Sequence, residues 1–331
     1  MHSALDSKLL VITGKGGVGK TTIAAAAGVL AAQRGRRAIV VELGQESRLP
    51  ALFGVGAGAP GSVRRLREGL SSITIDPDRA LLEWLQALGG RVSGRVLASS
   101  GTFQYFAAAA PGAKELVTMV KVWQLTRGAS HRTGPGGWDL VVLDAPATGH
   151  ALGMLGSPHT FGAIARVGPI ATYTRKVTEL LQSPTQTAYL AVALATEMAV
   201  TEVLELQSGL RGTLGRELAG VVVNELLPRR FTPEELRRID ALAAGDLAGA
   251  HALAGAHARA PASGPDARAR ALIDSAARAA RAVHDRARVQ QNQLARLRRH
   301  RFEVVGVPFV WTERMDVASV QEIARRIARR L

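Results

Sequence analysis

Apolar residues gather along this chain into short unbroken runs, separated by longer stretches in which apolar and polar positions recur at helical spacing. Runs of that length, bounded by Gly, Pro or charged residues, read as strands buried on both faces, and helices that cover a parallel sheet supply the stretches between them. Seven strands are predicted, at residues 8–13, 37–43, 72–76, 138–144, 187–194, 218–224 and 302–305. Thr232-Pro233-Glu234-Glu235 starts a helix: a capping threonine, proline at the first helical position and a glutamate three residues after the cap. Two helical stretches are markedly apolar. Residues 103–125 carry Phe103, Phe106, Val117, Val120 and Trp123, and residues 154–181 carry Met154, Phe161, Ile164, Val167, Tyr173, Val177 and Leu181. At the end of the chain Val320, Ile323, Ile327 and Leu331 share one helical face, opposite Arg325, Arg326, Arg329 and Arg330. That pattern suits either a closing helix packed on the sheet or a basic helix lying on a membrane. Residues 250–266, rich in Ala, Gly and Pro, read as a flexible connection and not as a domain boundary. No repeat is visible, so the expected architecture is one α/β domain over residues 1–331. It is a mostly parallel, doubly wound sheet with helices on both faces and a small helical insert.

The most specific string follows the first strand: Gly14-Lys15-Gly16-Gly17-Val18-Gly19-Lys20-Thr21-Thr22. It satisfies G-x-x-x-x-G-K-[ST] between a buried strand and a helix-forming stretch at 23–33, the context in which that string cradles phosphate. Glycines let the backbone turn its N–H groups toward a phosphate chain, and the new helix presents its positive end to the anion. Lys20 is expected on the β- and γ-phosphates, Thr21 on Mg²⁺, and Thr22 on the α-phosphate, so ATP and Mg²⁺ are the expected ligands. Lys15 cannot easily fold back over its own loop. It is placed to reach a phosphate held by a facing subunit, as an arginine finger does, which implies a dimer.

This loop resembles, residue for residue, that of the deviant-Walker, signature-lysine ATPases. That class includes the MinD and ParA positioning ATPases, the nitrogenase iron protein, the arsenite-pump ATPase ArsA and the GET ATPase that targets tail-anchored proteins. A second segment narrows the resemblance. Trp138-Asp139-Leu140-Val141-Val142-Leu143-Asp144 reads as a buried strand ending in a carboxylate suited to the Mg²⁺ shell. The following Ala145-Pro146-Ala147-Thr148-Gly149-His150 is similar to the DTAPTGH switch II of the ArsA/GET branch, with its middle reshuffled. Pro111-Gly112, Thr196-Glu197-Met198 and Val221-Val222-Val223-Asn224 are similar to that branch as well. The resemblance implies a role for Asn224 on adenine, with Val307-Pro308-Phe309 lining the base. It also implies that the helical segments around 95–127 and 150–183 face a client, whereas a Met and aromatic stripe of this kind is more often ordinary core. Switch I departs from the pattern: Gly44 stands where ArsA-like proteins place the aspartate that orients water. Glu42 and Glu46 are the carboxylates available to replace it, and both are equally readable as ordinary polar groups.

Composition prunes these expectations. Cysteine is absent, which removes disulfides, thiolate zinc or metalloid sites and an iron–sulfur cluster. The eight histidines show no metal-ligand spacing. The net charge of +15 comes from 42 basic against 27 acidic residues, mostly arginine in Ala-Arg helices such as 267–298. No aromatic residues interleave that basic face for base stacking, so an acidic protein or anionic membrane surface is expected before nucleic acid. No leader-like apolar region follows Met1-His2-Ser3-Ala4, and the expected location is cytoplasmic, with peripheral membrane contact open. The reading is an ArsA/GET-like switch ATPase, a homodimer or a heterodimer with a paralogue, coupled to a protein client or a membrane-associated partner. The alternatives are a MinD/ParA-like positioning ATPase and a hydrolysis-deficient half of a heterodimer.

Overall fold

Strands that are apolar on both faces have nowhere to go but the middle of a sheet, and the predicted runs assemble into one. The computed structural model describes residues 4–56, 58–59, 61–88, 112–127, 137–164, 167–245 and 267–328. Among them the strands are β1 (Leu9–Thr13), β2 (Ala38–Leu43), β3 (Arg64–Arg67), β4 (Leu70–Ile75), β5 (Leu140–Asp144), β6 (Thr187–Leu194), β7 (Gly220–Leu226) and β8 (Glu303–Pro308). Their order is β3-β4-β2-β5-β1-β6-β7-β8. Every pairing is parallel except β3 with β4 at one edge. β3 is the strand the hydropathy pattern does not predict. Three of its four residues are arginines, an edge composition that discourages further pairing.

Alternation along each strand sorts the side chains into two cores. Leu10 and Ile12 of β1, with Val40, Val142, Val192 and Val222, lie under α1 (Lys20–Gln33), α2 (Leu49–Leu52) and a C-terminal helix at Val317–Ile327. Leu9 and Val11, with Ile39, Val41, Val141, Leu143, Tyr189 and Val221, face the other way. They meet α3 (Pro77–Leu88), α4 (Ala113–Thr126), α5 (Thr148–Ile164), α6 (Gly168–Gln182) and α7 (Glu197–Leu214). A helical pair, α8 (Pro233–Ala243) and α9 (Ala267–Leu297), is inserted between β7 and β8, and the helix at Val317–Ile327 is α10. Thr232 opens α8 with a complete capping box. Residues 250–266 lie outside the described residues.

The amphipathic C-terminal stretch packs inward. Val320, Ile323 and Ile327 are fully buried in the core shared with α1, while Arg325 and Arg326 pair with Glu322 on the outer side. Burying three such side chains is worth about 1.5–3 kcal/mol each, so this face is not available to a bilayer. Leu331, Arg329 and Arg330 lie outside the described residues. Of the apolar helical residues singled out above, Val117, Val120, Met154, Val177 and Leu181 are core, and Trp123, Phe161 and Tyr173 pack against it. Val167 is exposed. Phe103 and Phe106 lie outside the described residues, as does the Ile164 side chain. Among the described residues no helix is long and apolar enough to cross a membrane.

Candidate nucleotide site

Three segments leave the carboxyl ends of adjacent strands and converge, as ligand sites in open parallel sheets do. After β1 the chain turns at Gly14, whose φ of +146° and position against β6 exclude a side chain: a Cβ there would stand 2.0 Å from the Val192 carbonyl oxygen. Gly16 and Gly17 are exposed, and Gly19 hands the chain into α1. Lys20 is the first residue of that helix, and its Nζ is turned onto its own loop, donating to the carbonyls of Lys15 at 2.9 Å and Gly14 at 3.1 Å. Burial holds its ammonium below the ordinary lysine range, and the nearby Asp144 partly offsets this.

Asp144, at the end of β5, accepts from the Thr21 hydroxyl at 2.6 Å. Burial pushes its carboxyl up to about 6, against the Thr21 hydrogen bond and the attraction of Lys20. The segment after it is stapled to β1: Ala145 N donates to the Ile12 carbonyl at 2.9 Å, and the Thr13 hydroxyl to the Pro146 carbonyl at 2.9 Å. His150, in the first turn of α5, is exposed.

In front of these groups lies a cavity of about 1050 Å³. Its floor is Gly16, Gly17, Gly19, Lys20, Thr21 and Thr22, one wall is Asp144 to Ala147, and another runs along the segment after β2. Glu42 lines that wall but is already saturated. Its carboxylate accepts from the Ser47 hydroxyl at 2.5 Å and from the Arg48 and Leu49 amides at 2.8 and 3.3 Å, which makes it the cap of α2. Glu46 lines the same wall and is exposed. Gly44 has a φ of +133°, a backbone that L side chains rarely adopt.

Val307, Pro308 and Asn224 are placed differently from expectation. Val307 is fully buried in the core beneath α1 and α10, and Pro308 is exposed outside the cavity. Asn224 is buried with its amide nitrogen donating to the Val18 carbonyl at 3.0 Å, so that group braces the phosphate loop. Asn224 stands opposite Leu194 of β6, one strand away from β1, and its amide spans that step to the loop. Lys15 points away from its own loop toward α7, where Nζ meets Glu202 Oε1 at 2.7 Å and abuts the Met198 sulfur. Arg48, Arg314 and Met315 line the cavity without any signal in the local sequence, and Glu202 had none either.

A mostly parallel sheet with a glycine-rich loop between β1 and α1, and a carboxylate at the end of β5 bonded to that helix, defines a P-loop nucleoside-triphosphatase fold. Residues 7–172 match the family model for anion-transporting ATPases, the ArsA family, and the chain belongs to that family. Among its relatives, the ATPase BagA of Mycobacterium tuberculosis is 28% identical over 331 residues, covering 97% of this chain and 92% of the relative. The ATPase get3 of Botryotinia fuckeliana is 29% identical over 177 residues, covering 52% of this chain and 49% of that protein. The uncharacterized protein SCO2128 of Streptomyces coelicolor is 29% identical over 270 residues, covering 73% and 66%. Relatives carrying the name ATPase support nucleotide use and an ATPase activity here.

Proposed function

We propose that the protein is a Mg·ATP-dependent dimeric switch ATPase, in which ATP binding and hydrolysis drive binding and release of a protein or membrane-associated partner. The observation that carries this reading is the convergence of Lys20, Thr21 and Asp144 on one cavity: a cation, a hydroxyl and a carboxylate at the mouth of a phosphate-sized loop. Lys20 would leave the loop carbonyls for the β- and γ-phosphates, a stronger partner because the acceptor is charged. Thr21 Oγ1 and Asp144 Oδ2 are hard oxygens 2.6 Å apart, the donor type magnesium takes. Among the described residues no group of three His, Asp or Glu forms a metal cage, so phosphate and water would complete the shell. Magnesium, when bound, would neutralise charge building on the transferred phosphoryl group.

Lys15 would act across the dimer, exchanging Glu202 for the partner's nucleotide. The reading treats residues 1–331 as a single ATPase domain. The segments around 95–127 and 150–183 would bind the partner, and α5 would carry closure to the second of them, because the Pro146 carbonyl ties the start of switch II to β1 and α5 follows directly. A second reading has one observation in its favour. Gly44 with its φ of +133° and Glu42 committed to capping leave exposed Glu46 as the water-orienting carboxylate on that wall, which suits a slow or hydrolysis-deficient half of a heterodimer. A MinD/ParA-like positioning role would need a surface other than the apolar face of α10.

Calorimetric titration of Mg·ATP into Lys20→Ala tests the nucleotide reading. The variant is expected to lose measurable affinity, and an affinity equal to wild type would refute it. Phosphate release by the purified chain, alone and with a paralogue, separates the active switch from the silent half.

A further inference from the structure

We propose that Arg314 is a phosphate ligand of this site, delivered in cis by the loop between β8 and α10; the inference rests on the nucleotide reading above. Arg314 and Met315 also line the cavity, and the loop that carries them follows β8 at the far edge of the sheet. Three cations line the cavity: Lys20, Arg48 and Arg314. Lys20 is turned onto loop carbonyls, and Arg48 lies near enough to Asp144 to favour its ionised form. Arg314 is exposed at the cavity, and no carboxylate among the described residues pairs with its guanidinium. A guanidinium without a protein anion, at the mouth of a cavity built for a chain of negative oxygens, has a matching acceptor in phosphate, which it can take with two parallel N–H bonds.

The loop that carries it is fixed. The Thr312 hydroxyl donates to the Arg314 carbonyl at 2.8 Å, closing a turn around the residue. Two residues on, Asp316 caps α10, accepting from the Ser319 amide at 2.8 Å and its hydroxyl at 2.7 Å. The buried face of α10 is packed on α1, whose first residue is Lys20. Arg314 and Lys20 are therefore referenced to the same helix pair and flank one cavity. Arg314 binds and positions; it makes and breaks no bond.

The experiment is calorimetric titration of the full chain with Mg·ATP and, as a probe without base or sugar, with Mg·tripolyphosphate. For Arg314→Ala, both affinities are expected to fall roughly tenfold to a hundredfold, the range for a hydrogen bond to a charged group. Arg314→Lys is expected to fall between, keeping charge without the fork. Thermal unfolding of the unliganded variants should match wild type, because the side chain is exposed. An Arg314→Ala protein that binds Mg·ATP as wild type does overturns the proposal. So does a loss confined to ATP with tripolyphosphate unaffected, which would move the contact to base or ribose. Failure of the wild-type chain to bind Mg·ATP would instead overturn the nucleotide reading beneath it.

Discussion

Asp144 answers two opposed demands. Folding withdraws it from water, which disfavours its charge, whereas a role beside magnesium and phosphate requires that charge. Its carboxyl sits at about 6 against an ordinary 3.8. For an acid raised in the folded state the ionised form is the penalised one, so the penalty is absent below about pH 4, grows as pH rises to about 6 and is constant above. Two pH units correspond to at most about 3 kcal/mol. Asp144→Asn, which keeps an acceptor for Thr21, is therefore expected to unfold at a higher temperature than wild type at pH 7–8 in the absence of nucleotide. The advantage should vanish near pH 4. Thermal melts across that range decide it, and a variant less stable at every pH would contradict the account. The meeting of Lys20, Thr21 and Asp144 on one cavity was readable in advance because local spacing next to an apolar run places each of them. Glu42 was not: only the amides of Arg48 and Leu49 folding back onto it distinguish a helix cap from a water-orienting base. Arg314 lies on a loop whose position depends on α10 docking against α1, which no neighbouring residue announces.

At the scale of elements, the central strands and the β8 edge were legible and the β3 edge was not. Runs such as Leu140-Val141-Val142-Leu143 have no alternative to burial, whereas Arg64–Arg67 owes its strand to the neighbour it pairs with. Helical periodicity gave α10 a face without saying what covers it, since a sheet-packed helix and a membrane-lying one repeat alike. The segment linking β2 to α2 yields a further prediction. Gly44→Asp, the change that writes the family's aspartate back, forces a side chain onto a φ of +133°. The strain is of order 1–3 kcal/mol. The variant is expected to melt at a lower temperature than wild type and to release phosphate no faster. A Gly44→Asp protein with wild-type stability and accelerated turnover would show that this segment adopts another path during catalysis.

For the whole molecule, the disposition of Lys15 matters most. Its ion pair with Glu202 joins side chains that are 37% and 29% exposed, so it is worth about 0–1 kcal/mol and exchanges readily for a stronger anion. Lys15→Ala is expected to bind Mg·ATP as wild type does, while losing ATP-dependent dimerisation and most turnover. Sedimentation with and without nucleotide, beside a phosphate-release assay, measures both. Normal dimerisation and hydrolysis would end the trans-lysine mechanism. The two cores also have a consequence for lineages of such proteins. Because each strand deals its side chains alternately to one layer or the other, no buried residue belongs to both. Drift among the helices at 113–182 thus meets the layer around the phosphate loop only through the strands and through Ala145, which belongs to that core and lines the cavity. A descendant can be reshaped on that side while the layer around α1 stays unaltered, provided the strand tips that join the two remain matched.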